Sequence, residues 1–170
     1  MKARTSLGVA FALVVASGVA VASRSDPVQD AGGPAPVVFV CRNGVAMSVW
    51  SAAYFNRLAA ERGLRERAVA RAAIPSYRDV PLRMRVALAL DGFRLDGYRP
   101  RVVDAADARS AELMVVIDTE LPPEALANDA ARAELWQGFP PMREQYFPSR
   151  AALEERVEAL VARLAADERS

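Results

Sequence analysis

The first strand pattern of the folded part is a continuous apolar run, Val37-Val38-Phe39-Val40, rich in β-branched residues and bounded by Pro36 and the polar Arg42-Asn43-Gly44. A short run without alternation is the pattern of a strand buried on both faces, as in a parallel sheet. Met47 to Arg62 follows with helix formers, and Gly63 supplies the stop. Ala68 to Ala73 reads as a second strand of small residues, and Pro81 to Asp91, carrying Leu82, Val86, Leu88 and Leu90, as a helix stopped by Gly92. A short polar helix is expected around Ala105 to Ala111, leading into the strand Leu113-Met114-Val115-Val116-Ile117, which ends at Asp118. A further, weak strand is expected near Arg101 to Val103. Ser149 is expected to N-cap a last helix in which Leu153, Val157, Leu160, Val161 and Leu164 share one face and cover the sheet.

This alternation of strand and helix predicts an α/β fold, a small parallel sheet with helices on both faces, and no internal repeat or second domain. In such folds ligands sit beyond the carboxyl ends of the strands. Two segments occupy that position, the loop that starts at Cys41 and the region after Asp118.

Composition removes several chemistries. The 170 residues include 22 basic and 21 acidic side chains, one cysteine and no histidine. A Ser-His-Asp triad, a His-assisted cysteine protease and a His-ligated zinc site are therefore excluded, as are an intrachain disulfide and a thiolate zinc cluster. The single lysine is Lys2, so Walker-type and Schiff-base lysines are unavailable. Near-neutral charge gives no electrostatic footprint for nucleic acid. No metal and no cofactor is expected.

Residues 1–22 begin Met-Lys-Ala-Arg, continue through an apolar stretch from Leu7 to Ala22 and end in Ala20-Val21-Ala22. A positive start, apolar middle and small-x-small end compose a secretory signal, cleaved after Ala22. The alternative is an uncleaved anchor, for which sixteen residues fall short of the ~20 that span a bilayer. Residues 23–36, rich in Pro, Gly, Asp and Ser, read as a flexible leader, and 37–170 as the folded domain. The expected location is periplasmic or secreted, with no membrane contact once the signal is removed.

The chemistry is expected in Cys41-Arg42-Asn43-Gly44-Val45-Ala46-Met47-Ser48. A cysteine at the end of a buried strand, followed by an Asn-Gly turn and a helix, faces free backbone N–H groups and the positive end of the helix dipole, and both favour an anion. Ser48 is placed to cap the helix or to donate to a thiolate. Arg42, Asn43, Gly44, Val45, Ala46 and Met47 are expected to line the anion site. Trp136, Phe139, Tyr146 and Phe147, close together around Pro140 and Pro141, are candidates for an aromatic wall above Cys41.

This segment resembles the signature of the low-molecular-weight protein tyrosine phosphatases and the arsenate reductases of the same fold: an apolar strand, cysteine, five residues, arginine, then serine or threonine. The resemblance covers the strand, the loop length, Cys41, Ser48 and the following helix, and its order of elements extends to about Leu164. It implies a three-layer fold with a four-stranded parallel sheet, a nucleophilic role for Cys41 with Ser48 beside it, and a role for Asp118 as an acid at the end of a strand. It also implies two vacancies. Met47 stands where the family grips phosphate with arginine, and Phe139 precedes Pro140 where a proton-donating aspartate is expected.

Such an arginine is worth roughly 10³ to 10⁵ in rate, and a placed general acid roughly 10² to 10⁴. The expectation is an exported domain that retains an anion-binding cysteine loop with little or no phosphatase turnover. Its partner would be an anionic small molecule, a phosphorylated group or a protein. The alternatives are an active cysteine-dependent phosphatase, with Arg42 as substitute clamp and Glu144 or Asp118 as proton source, and a purely structural or interaction protein.

Overall fold

The computed structural model describes residues 26–27, 35–65, 67–75, 77–126 and 132–168. Residues 1–22, expected as the signal, and most of the leader lie outside the described residues. In chain order the elements are β1 (Asp26–Pro27), β2 (Val37–Cys41), α1 (Met47–Arg62), β3 (Ala68–Ala72), α2 (Leu82–Leu90), β4 (Phe93–Arg94), α3 (Ala105–Ser110), β5 (Leu113–Ile117), α4 (Pro123–Leu126), β6 (Arg132–Trp136) and α5 (Tyr146–Asp167).

Four strands form one all-parallel sheet in the order β3-β2-β5-β6. β2, β3 and β5 are buried along their whole length, which is why β2 and β5 read as unbroken apolar runs and β3 as small apolar residues interrupted only by Arg71. Successive side chains face opposite sides. Val37, Phe39 and Cys41 join Val115, Ile117 and Trp136 in a core closed by α1, α2 and α5. Val38, Val40, Val69 and Met114 join Ala108 of α3 and Ala125 of α4 on the other side. The result is a three-layer α/β fold, and full burial of a side chain such as Phe39 or Leu153 stabilises it by about 1.5–3 kcal/mol.

Both long helices cover the sheet as the pattern predicts. α1 ends at Gly63 in the left-handed conformation, φ 72°, and α5 buries Leu153, Val157, Leu160 and Val161. Four details differ from expectation. The fourth strand is β6; the segment near Arg101 to Val103 makes only a single bridge, Ala72 to Val102. Ser149 is no cap but lies inside α5, its N–H donating to the Gln145 carbonyl at 3.0 Å. The helix starts before Pro148 because proline is tolerated in a first turn, where its missing N–H would have no partner, and because Tyr146 and Arg150 both reach back to Asp91. On α2, Leu82, Val86 and Leu90 face solvent while Met84 and Leu88 enter the core. Finally, part of the expected leader is paired: Asp26 and Pro27 run parallel to Phe93 and Arg94.

Candidate active site: the Cys41 loop

β2 is a central strand, so its carboxyl end is flanked on both sides, Cys41 in register with Ala72 of β3 and Ile117 of β5. Residues 42–46 then turn into α1. The Cys41 Sγ lies 3.1 Å from the Ser48 Oγ, the pairing expected from their spacing. Both are buried, the cysteine at 4% exposure, and Cys41 packs in the main core with Val45, Ala46 and the partly buried Met47.

The loop is held from outside by its carbonyls. The Ala73 N–H donates to the carbonyls of Cys41 and Arg42 at 2.9 and 3.2 Å, and the Ile74 N–H to that of Arg42 at 3.1 Å. The buried Tyr98 hydroxyl donates to the Gly44 carbonyl at 2.7 Å. Gly44 itself sits at φ 63°, and a Cβ there would come within 2.9 Å of Ala72, so only glycine fits. Among the described residues no backbone carbonyl accepts the N–H groups of residues 42–47. α1 has no side-chain cap and no acid in its first turn. Three carbonyls at the start of the loop, those of Cys41, Arg42 and Gly44, are thus engaged by residues outside it.

Arg42 is exposed and Asn43 half-buried. Arg42 makes no ion pair among the described residues, and no cluster of three metal-ligating side chains occurs among them. Met47 brings a thioether into this position, with neither charge nor donor.

Asp118 follows β5 and has φ 44°. Its two carboxylate oxygens accept the N–H groups of Gly138 and Phe139 at 2.8 and 3.0 Å, and its own N–H donates to the Trp136 carbonyl at 2.9 Å. In this arrangement Asp118 fastens the late loop to the end of the sheet. Phe139 is half-buried, 6.4 Å from the Trp136 ring, with the Arg156 guanidinium 5.9 Å from its centroid.

The four aromatics do not form one wall. Trp136 is core, packed edge-on to Phe39 at 5.8 Å, and Phe147 is exposed. The Tyr146 hydroxyl donates to Asp91 at 2.7 Å; burial first, then that bond, pushes its phenol far above the usual tyrosine range. Asp91 also accepts the Trp50 Nε1–H at 2.7 Å and pairs with Arg150 at 3.1 Å, tying α1 and α5 to the end of α2. Glu144 stands exposed in the turn before α5. Tyr98 and Asp91 have no local sequence signal, because their partners lie 54, 41 and 55 residues away.

No family model and no curated protein matches the chain. Solved structures do. YfkJ from Bacillus subtilis is similar with a TM-score of 0.69 at 19% identity, covering 81% of this chain and 98% of its own. An arsenate reductase from Archaeoglobus fulgidus is similar with a TM-score of 0.60 at 27% identity, covering 74% and 98%. A low-molecular-weight protein tyrosine phosphatase from Bacillus subtilis gives 0.64 at 18% identity, covering 78% and 98%. By its fold, the chain belongs to the superfamily of low-molecular-weight protein tyrosine phosphatases and arsenate reductases.

Proposed function

We infer that this is an exported phosphatase-like domain whose Cys41 loop holds an oxyanion, with little or no phosphomonoester turnover. The observation that carries the reading is the loop's polarity: the Cys41, Arg42 and Gly44 carbonyls are taken by Ala73, Ile74 and Tyr98, while the N–H groups of residues 42–47 meet no backbone carbonyl among the described residues. Cys41, with Ser48 at 3.1 Å, would meet a bound anion from the strand side, and Arg42 to Met47 would surround it. Neutral amides position an anion, but charge developing on a transferring phosphoryl group calls for a cation. Met47 supplies none. Both Asp118 oxygens are taken by backbone donors of the late loop, which gives this carboxylate a structural task there.

Thermal unfolding of the full chain with phosphate, sulfate, vanadate or arsenate tests this. An oxyanion at a hundredfold its Kd stabilises by about 2.7 kcal/mol, a rise in Tm on the order of 5–10 °C for a domain of this size. Met47→Arg is expected to enlarge the response, and hydrolysis of p-nitrophenyl phosphate by the natural sequence to stay near background. Robust hydrolysis lost in Cys41→Ser would instead establish an active phosphatase with Arg42 as clamp. No thermal response in either protein would leave a purely structural role.

A further inference from the structure

The outer face of α2 is apolar where a surface helix is ordinarily polar. Leu82, Val86 and Leu90 recur every four residues along it and are 73%, 51% and 83% exposed; Phe147 is 75% exposed and lines one groove with Leu90. Four of the seven exposed large apolar side chains among the described residues are thus gathered around one short helix. At 100° per residue, Arg83 and Arg85 fall on either side of this ridge, and α2 contains no acid. Arg94 lines the groove between α2 and β4 beside Leu82 and Val86, and Arg143 and Glu144 stand on the other side. Asp91, just after α2, turns inward to Trp50, Tyr146 and Arg150, and Arg94 is paired with Asp96 in the α2-β4 groove, which leaves Arg83 and Arg85 as the cations on α2 itself.

The second observation is where the N-terminal segment arrives. β1 pairs with β4, Pro27 opposite Arg94, and β4 begins three residues after α2 ends. The apolar stretch Leu7 to Ala22 stops four residues before Asp26, a reach of at most ~14 Å. A bilayer holding that stretch therefore lies within a short tether of the exposed ridge. No helix of the described residues is long and apolar enough to cross a membrane; the contact considered for α2 is with the membrane surface. Leucine and phenylalanine flanked by arginines, whose stems lie along apolar surface while their heads stay in water, is the composition of an interfacial face.

We propose that residues 7–22 are retained at the membrane and that the Leu82-Val86-Leu90 face of α2 docks on the anionic phospholipid surface beside them. This departs from the expectation of a domain freed from the membrane by cleavage. It is independent of the chemistry at Cys41.

The test uses the full chain with phosphatidylglycerol/phosphatidylcholine vesicles containing brominated acyl chains. Leu90→Trp is expected to show a blue shift and bromine quenching on binding. Leu135→Trp, on β6 and on the sheet face opposite the core that contains α2, is expected to show neither. Arg83→Gln with Arg85→Gln is expected to weaken binding to anionic vesicles by about twenty-five-fold, at about a factor of five per arginine, and to leave binding to purely zwitterionic vesicles unchanged. A vesicle-bound Leu90→Trp protein without quenching would show tethering through the N-terminal segment alone and overturn the proposal. So would a concentration-dependent blue shift without vesicles, which would make the face a contact between copies.

Discussion

Asp104 shows how much one carboxylate contributes here. It is the N-cap of α3, accepting the N–H groups of Ala106 and Asp107 at 2.8 and 2.9 Å, while Asp107 completes the capping box by accepting the Asp104 N–H. Its carboxylate also takes Arg101 at 2.6 Å. The backbone bond from Asp107 foremost, then the Arg101 charge and the bond from Ala106, holds its pKa below the usual carboxylate value. Folding favours the ionised form, so the stabilisation is complete above the unfolded value of ~3.9 and is lost as pH falls through the lower, folded value. Asp104→Ala is expected to cost about 1 kcal/mol at pH 7, with the difference from the natural sequence shrinking below about pH 4. Urea titrations at pH 7 and pH 3 read both effects.

Among the elements, β3 and α3 are joined by charge inside the protein. Arg71, 1% exposed, extends from β3, its Nε 3.0 and 3.1 Å from the Asp107 carboxylate. Arg101 reaches the same carboxylate at 2.8 Å. Removing Asp107 takes away the carboxylate that faces the buried Arg71 guanidinium, so Asp107→Ala is expected to destabilise by about 3–5 kcal/mol, and Arg71→Leu by less, because Asp107 keeps Arg101. Denaturant midpoints should show that Arg71→Leu combined with Asp107→Leu recovers part of the loss.

The elements also differ in how plainly the sequence announces them. β2 and β5 are buried on both faces, and that burial writes an unbroken apolar run. β6 reads Arg-Ala-Glu-Leu-Trp because four of its five side chains are exposed or half-exposed, so no run exists to be read. α2 has a clear apolar periodicity, but its stripe marks an exposed face as well as a buried one. The Cys41-Ser48 pairing follows from spacing within one loop and is legible. Tyr98, Asp91 and the Asp118 anchoring of Gly138 and Phe139 join segments distant in sequence, and only the folded chain brings them together.

In the whole molecule the two edges of the sheet are finished differently. On one side, Ala72 of β3 meets Val102 in a bridge, its N–H and carbonyl engaged by Arg101 and Val103. On the other, β6 has a strand neighbour on only one side among the described residues. Its side chains include Arg132 and Glu134, the latter paired with Arg163 of α5. An open row of backbone donors and acceptors invites a strand from another molecule, and charges along it repel that approach. Arg132→Thr with Glu134→Val is expected to leave the circular dichroism spectrum native while producing concentration-dependent species in sedimentation velocity. Solubility in this small domain would then depend on two charged side chains at the margin of its sheet, far from any chemistry at Cys41.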